Sequence, residues 1–156
     1  MEIERKYLVR SLPHDLLEGC QSAEISQAYL DFGDGNEPER RIRKLIKGDE
    51  IKFFYTEKSK GELCREEEEY EIPEYSFNNL SELVISAVIQ KKRYYLPLSE
   101  TLTAELDVYG GKLEGLIAAE VEFPTLKDAE AFIPPEWFGE EITYDPKYKN
   151  KNLAQL

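Results

Sequence analysis

The stretch Glu2-Ile3-Glu4-Arg5-Lys6-Tyr7-Leu8 decides how this chain is read. In an extended strand successive side chains point to opposite faces, so Glu2, Glu4 and Lys6 share one face while Ile3, Arg5 and Tyr7 share the other. Carboxylate oxygens are the ligands that hard divalent cations prefer, and an ammonium beside them can hold a phosphate bridged to the same cation. Taken alone, the segment reads better as an edge strand dressed with solvated charge. The rest of the chain has to decide between the two.

Outward from that strand, residues 11–19 carry Pro13 and Asp15 ahead of Leu16-Leu17, a short helical turn ended by Gly19. Residues 25–32 form a strand leading into the turn cluster Gly33-Asp34-Gly35-Asn36. Strands at 40–47 and 51–58 flank the hairpin signal Lys47-Gly48-Asp49-Glu50, and a further strand at 64–72 stops at Pro73. Phe77, Leu80, Leu83 and Val84 have helical spacing, which predicts a helix over 76–84 with Ser76 as its cap. Strands at 88–96, 102–109 and 117–123 end at Pro97, Gly110-Gly111 and Pro124, and a short helix over 127–132 follows Thr125. Asp145-Pro146 reads as a cap followed by a first-turn proline. These are eight strands in one continuous domain over residues 1–156, with short helices between them.

The two-residue period sorts each strand into two faces. Glu105 and Asp107 fall together, as do Glu120 and Glu122, Arg41 and Arg43, and Lys91 and Arg93, while Leu102, Ala104, Leu106 and Val108, or Ile117, Ala119, Val121 and Phe123, make the opposite faces. One face of the sheet is charged and the other apolar. Two architectures fit: an open sheet whose charged face meets water under helices on the apolar face, or a closed barrel with the charged face lining its lumen. Whole strands here are acidic or basic, whereas ordinary surfaces intersperse the signs, and that sorting favours the barrel. Arginine forks match phosphate oxygens bidentately and lysines add point charge.

The chain has 156 residues, with 32 Asp plus Glu against 20 Lys plus Arg and a formal net charge of -12. That charge disfavours a nonspecific nucleic-acid binder or an anionic-membrane binder, so an anionic ligand needs a local basic site. No apolar run is long enough to span a bilayer and no secretory signal precedes Glu2, and the two cysteines, Cys20 and Cys64, suggest neither a disulfide framework nor a zinc site. A reducing cytoplasm is the expected compartment.

The residues carry a resemblance to the CYTH superfamily, the triphosphate tunnel metalloenzymes. Glu2-Ile3-Glu4-Arg5-Lys6 is similar to its N-terminal Glu-x-Glu-x-Lys signature, Arg41-Ile42-Arg43 to its Arg-x-Arg strand and Thr56-Glu57-Lys58 to its Thr-x-Lys strand. Arg65 to Glu71, Lys91-Lys92-Arg93, Glu105-Leu106-Asp107 and Glu120-Val121-Glu122 resemble the later strands, and Tyr144-Asp145-Pro146-Lys147-Tyr148 the tail of short bacterial members. The resemblance spans essentially the whole chain in order. It implies a mainly β (α+β) fold, an eight-stranded antiparallel β-barrel tunnel with short helices packed outside, and water attack on the terminal phosphoryl group of a triphosphate.

Carried over residue by residue, it implies that Glu2, Glu4 and Glu122 hold a first Mg²⁺ or Mn²⁺, and that Asp107 and Glu120 serve a second ion or the attacking water. Lys6, Arg41, Arg43, Lys58, Lys91 and Arg93 would grip phosphates, and Arg65 would either do the same or pair with a lumen glutamate. Lys6, Lys58, Arg41, Arg43 and Glu120 are then the catalytic set. Glu67, Glu69 and Glu71 are expected as salt-bridge partners in the lumen, Tyr29 as packing or a substrate contact, Lys52 as a rim charge, His14 as a surface residue, and Lys147, Tyr148, Lys149 and Lys151 as a cap on the tunnel or a basic end helix. Glu57, charged where the outer face is apolar, marks an exposed edge or a homodimer contact. The leading reading is a cytoplasmic inorganic triphosphatase acting on tripolyphosphate, with no nucleic-acid or membrane partner. Its alternatives are a nucleoside or thiamine triphosphatase, a class IV-type adenylate cyclase, and a polyphosphate-binding module without turnover.

Overall fold

The computed structural model describes residues 1–33 and 38–155, so all but the first residue of the expected Gly33-Asp34-Gly35-Asn36 turn lies outside the described residues. Its strands are β1 (Glu2–Leu8), β2 (Gln21–Leu30), β3 (Glu39–Lys47), β4 (Glu50–Lys58), β5 (Cys64–Arg65), β6 (Glu67–Ile72), β7 (Ile89–Pro97), β8 (Thr103–Tyr109) and β9 (Ile117–Glu122). The helices α1 (His14–Leu17), α2 (Glu74–Ser81), α3 (Leu126–Ala131) and α4 (Asn150–Leu153) are all short. The strands pair in the order β5-β1-β9-β8-β7-β2-β3-β4-β6. Only Glu66 separates β5 from β6, so the two ends of that order are one segment of chain. The sheet closes on itself, and the expected eighth strand is present as a strand bent at Glu66, pairing with β1 through Glu2↔Arg65 and with β4 through Lys58↔Glu67. Because β4 is paired on both sides, Glu57 does not lie on an exposed edge; its carboxylate accepts from the Tyr55 hydroxyl at 2.8 Å.

A barrel that keeps its charges inside has to find its apolar core outside. Ala104, Leu106, Ala119 and Val121 have no exposure at all on the outer wall of β8 and β9, where Ile3, Tyr7, Leu96, Phe123 and Ala129 of α3 join them. Phe132, Trp137 and Phe138 roof this cluster, with Tyr7 and Phe138 ring centroids 4.9 Å apart. A second, smaller cluster of Tyr29, Ile89, Tyr109 and Ala118 lies on the inward faces of β2, β7, β8 and β9 at one end of the lumen, where Ala154 at the end of α4 packs on it.

Local chemistry accounts for the ends of the elements. Gly48 takes φ +59 in the β3–β4 hairpin, a conformation that suits glycine. Thr125 caps α3 by accepting from the Asp128 backbone N–H at 3.1 Å, and the Asp145 carboxylate accepts from the Lys147 N–H at 3.0 Å ahead of the turn at Pro146–Tyr148. The helix expected over 76–84 lies earlier, at Glu74–Ser81. The Pro73 carbonyl accepts from the N–H groups of Ser76 and Phe77, which puts Ser76 inside the first turn rather than at the cap, and leaves Leu83 and Val84 beyond the last one.

Shortening a fully buried side chain on the outer wall leaves a cavity that the rigid sheet cannot collapse. Leu106→Ala is therefore expected to lower the unfolding free energy by about 2–5 kcal/mol in urea titration, and a loss well under 1 kcal/mol would contradict this placement of the core.

Candidate active site

The alternation that sends apolar residues outward sends Glu2, Glu4 and Lys6 of β1 inward, together with Arg41 and Arg43 of β3, Lys58 of β4, Arg93 of β7, Glu105 of β8, and Glu120 and Glu122 of β9. All of them line a cavity of about 280 Å³ inside the barrel. Arg65, Glu67 and Glu69 line it as well, as do Tyr29, Tyr148, Lys149 and Lys151. Lys52, by the hairpin, is a half-exposed rim charge 3.9 Å from Glu50, and Glu71 is exposed away from the cavity.

The acidic side is short of positive charge. Register sets Glu4 opposite Glu122 and Glu105 opposite Glu120. Burial, and then the charge of Glu120, raise Glu4 well above the usual carboxylate range. Burial also works to raise Glu120, but the hydrogen bond from the Glu4 carboxyl and the charges of Lys6, Lys58 and Arg93 outweigh it and bring Glu120 down to about 2. Burial and a hydrogen bond to Glu2 push Glu67 up to about 7, and burial with Glu2, Glu105 and Glu120 nearby raises Glu122. In each of the neighbouring pairs Glu4 with Glu120 and Glu2 with Glu67, one carboxyl is raised and the other lowered. Among the described residues no three carboxyls already converge on one point. The donor set, all oxygen and too negative for its surroundings, suits a hard divalent cation.

The basic side is crowded in the same sense. Arg43 donates from Nε and Nη2 to Gln27 Oε1 at 3.0 and 2.8 Å, and burial with Arg41 and Arg93 nearby lowers it to about 9. Arg41 reaches Thr56 Oγ1 at 3.3 Å and Glu69 at 3.6 Å, while its buried Nε has no hydrogen-bond partner. Lys58 sits 3.1 Å from Glu2 at the border of the two halves, and Lys6 donates to the Tyr148 carbonyl at 2.7 Å. Arg65 pairs with Glu39 at 3.3 Å and donates to the Ser59 carbonyl at 3.0 Å.

Two residues expected in the site stand apart from it. Asp107 accepts from Arg93 Nε and Nη2 at 2.8 and 2.9 Å and lies 2.7 Å from Lys91 Nζ. Neither Asp107 nor Lys91 is among the residues lining the cavity. With its oxygens taken by two cations, Asp107 is a buried counter-ion rather than a free ligand, and Lys91 is its partner rather than a phosphate grip. Gln27, Glu39, Ile142 and Thr143 were not expected. Gln27 stands opposite Arg43 in the β2–β3 register, and Glu39 shares the inward parity of Arg41 and Arg43, so the period could have shown both. Ile142 and Thr143 come from a segment without strand periodicity.

The fold and the site together define a closed antiparallel barrel whose lumen is lined by carboxylates, lysines and arginines, a tunnel protein by its architecture. No family model matches the sequence. The chain is 39% identical to an inorganic triphosphatase of Nitrosomonas europaea over 98% of its own length and 96% of that protein, and 34% identical to an inorganic triphosphatase of Acetivibrio thermocellus over 99% and 93%. It also matches the crystal structure of an inorganic triphosphatase with a TM-score of 0.69 and 37% identity, covering 100% of this chain and 95% of that one. The chain belongs to the CYTH superfamily of triphosphate tunnel enzymes. Among the described residues no helix is long and apolar enough to cross a membrane.

The counter-ion role of Asp107 has a measurable sign. Burial works to raise it, but Arg93 and Lys91 outweigh that and hold it below its ordinary value of 3.8. The folded state therefore binds fewer protons than the unfolded one, and the pair's stabilisation is present above pH 3.8 and lost as pH falls through the folded pKa. Asp107→Asn, which strands Lys91 beside Arg93, should cost about 3–5 kcal/mol at pH 7 and less in acid; thermal unfolding followed against pH checks it, and an unchanged melting temperature at pH 7 would refute the role.

Proposed function

We propose that this chain hydrolyses the terminal phosphoryl group of inorganic tripolyphosphate, releasing orthophosphate and pyrophosphate. The observation that carries the reading is the like-with-like crowding of the lumen, in which Glu4 faces Glu122 and Glu105 faces Glu120 on one side while Arg41 and Arg43 line the other, with the buried Arg41 Nε unpartnered. An anion and a cation bound together relieve both halves, and the names of the relatives agree.

In this reading Glu2, Glu4 and Glu122 hold a Mg²⁺ or Mn²⁺ ion, with Glu120 available to a second. The ion supplies polarisation of a phosphoryl oxygen when bound. Arg41, Arg43, Lys58 and Arg65 bind the non-bridging oxygens, and Lys6 and Arg93 face the transferred group. Water adds to the terminal phosphorus, the bond to the bridging oxygen breaks, and that oxygen leaves on pyrophosphate with its charge spread over the basic residues. Glu120, kept ionised beside Lys6, accepts a hydrogen bond from the attacking water and orients it, and the water's proton passes to a phosphate oxygen and on to solvent. Phosphoryl transfer asks for positioning and electrostatic stabilisation more than for covalent help, which suits a rigid charged tunnel. Tyr29 and Tyr148 are the aromatic residues that line the cavity, and their surroundings give no sandwich for a nucleobase or thiazolium, which favours tripolyphosphate over nucleoside or thiamine triphosphates. A cytoplasmic setting fits the free thiols of Cys20 and Cys64.

Phosphate release from tripolyphosphate, ATP and thiamine triphosphate, with Mg²⁺, with Mn²⁺ and with chelator, tests the reading. Expected are release fastest from tripolyphosphate, no release in chelator, and a loss of ~100-fold or more in kcat for Glu4→Gln with the fold retained. No turnover of any of them, with tripolyphosphate still raising the melting temperature, would replace the hydrolase with a polyphosphate-binding module.

A further inference from the structure

On one side β1 pairs with β9 from Glu4 to Leu8, but on the other it meets β5 only at Glu2 and Ile3. Residues 139–143 fill the remaining gap in the wall. Gly139 N–H donates to the Leu8 carbonyl at 2.6 Å, Leu8 N–H to Glu140 at 2.8 Å, Ile142 N–H to Lys6 at 2.8 Å, and Lys6 N–H to Thr143 Oγ1 at 3.0 Å, around an antiparallel bridge between Tyr7 and Glu141. The approach is close enough that a Cβ on Gly139 would lie 2.7 Å from the Leu8 carbonyl oxygen. Ile142 and Thr143 thereby line the cavity, and the chain runs on to Tyr148, whose carbonyl receives Lys6 Nζ at 2.7 Å. The backbone of Lys6 is held by the segment that closes the wall, and its ammonium by the stretch that follows it.

What fixes that segment lies outside the barrel. Arg5 projects outward and donates from Nε and Nη2 to the two carboxylate oxygens of Glu141 at 2.8 and 2.7 Å, and from Nη1 to the Ala129 carbonyl at 2.7 Å. Its guanidinium lies 5.5 Å from the centre of the Tyr7 ring and 5.9 Å from that of Phe132. Glu141 accepts a third bond, from Thr143 Oγ1 at 2.7 Å, which links the outer clamp to the residue bonded to Lys6. A bidentate fork fixes direction as well as distance, which a single ammonium contact does not.

We propose that Arg5 and Glu141 are positioning residues for phosphoryl transfer, their bidentate pair holding residues 139–143 in the tunnel wall and so fixing Lys6 against the phosphate. The inference rests on the triphosphatase reading. It gives the middle of Glu2-Ile3-Glu4-Arg5-Lys6 a task on the outer face to match that of the carboxylates inside.

The test compares Arg5→Met, Arg5→Lys and Glu141→Gln with the unsubstituted chain, well below their melting temperatures. Readouts are kcat and KM for tripolyphosphate, exchange of the Leu8 and Ile142 amides, and emission of Trp137, the single tryptophan, which adjoins the segment. Expected are a kcat about tenfold lower in Arg5→Met and Glu141→Gln with a smaller rise in KM, partial recovery in Arg5→Lys, and faster amide exchange in step with the loss. Glu141→Gln keeps the side chain's size and some of its hydrogen bonding, so the comparison survives if Arg5→Met fails to fold. Faster exchange with kcat intact would make the clamp merely structural and overturn the proposal, as would unchanged exchange and kcat together. If the unsubstituted chain turns over no tripolyphosphate, the triphosphatase reading falls separately; the same variants must then weaken tripolyphosphate binding in calorimetry, and equal affinity overturns the clamp.

Discussion

A closed sheet whose lumen is mostly charged leaves little apolar interior, here the cluster of Tyr29, Ile89, Tyr109 and Ala118 at one end of it, and this constraint shapes the rest of the molecule. Burial that would stabilise an ordinary barrel from within has to be found on its outer wall. The chain meets that demand unevenly. Over β1, β7, β8 and β9 the outer wall is buried beneath α3 and the aromatic residues Phe132, Trp137 and Phe138, whereas on β4 and β6 Ile51 and Tyr70 stay about half exposed. The best-buried wall is also the one that carries Glu4, Glu105, Glu120 and Glu122 inward. Crowded carboxylates repel, and a backbone locked by packing on its other face holds them at fixed spacing.

Alternation made most of this legible. A period of two places Glu105, Glu120, Glu122, Arg41, Arg43 and Arg93 on common faces whether or not the sheet closes, and every one of them lines the cavity. Periodicity could not show which charges neutralise one another. Asp107 has the same parity as Glu105, yet it sits deeper, opposite Arg93 in the β7–β8 register, and is consumed by that arginine and by Lys91. Nor could it show the wall segment, because residues 139–143 pair through a single bridge and a side-chain hydroxyl and leave no alternating trace. The start of α2 was misread because Ser76 is a good capping residue type, while Pro73, with its fixed φ, had already turned the chain.

Register separates the charges that build the tunnel from those that work in it. Where opposite charges face one another across neighbouring strands, as Arg93 does Asp107, the pair is satisfied by the fold. Where like charges face one another, as Glu4 does Glu122 and Glu105 does Glu120, the sheet pays a standing cost that Arg93, 3.2 Å from Glu105, offsets only in part. Such a cost persists in a folded chain when something outside the chain relieves it, and a cation relieves carboxylates as an anion relieves the arginines. In the proposed reading a metal-bound phosphate chain would meet both needs at once. Substrate and ion would in this sense complete the barrel's own electrostatics, so binding should stiffen the fold by the same interactions that hold the phosphates for attack.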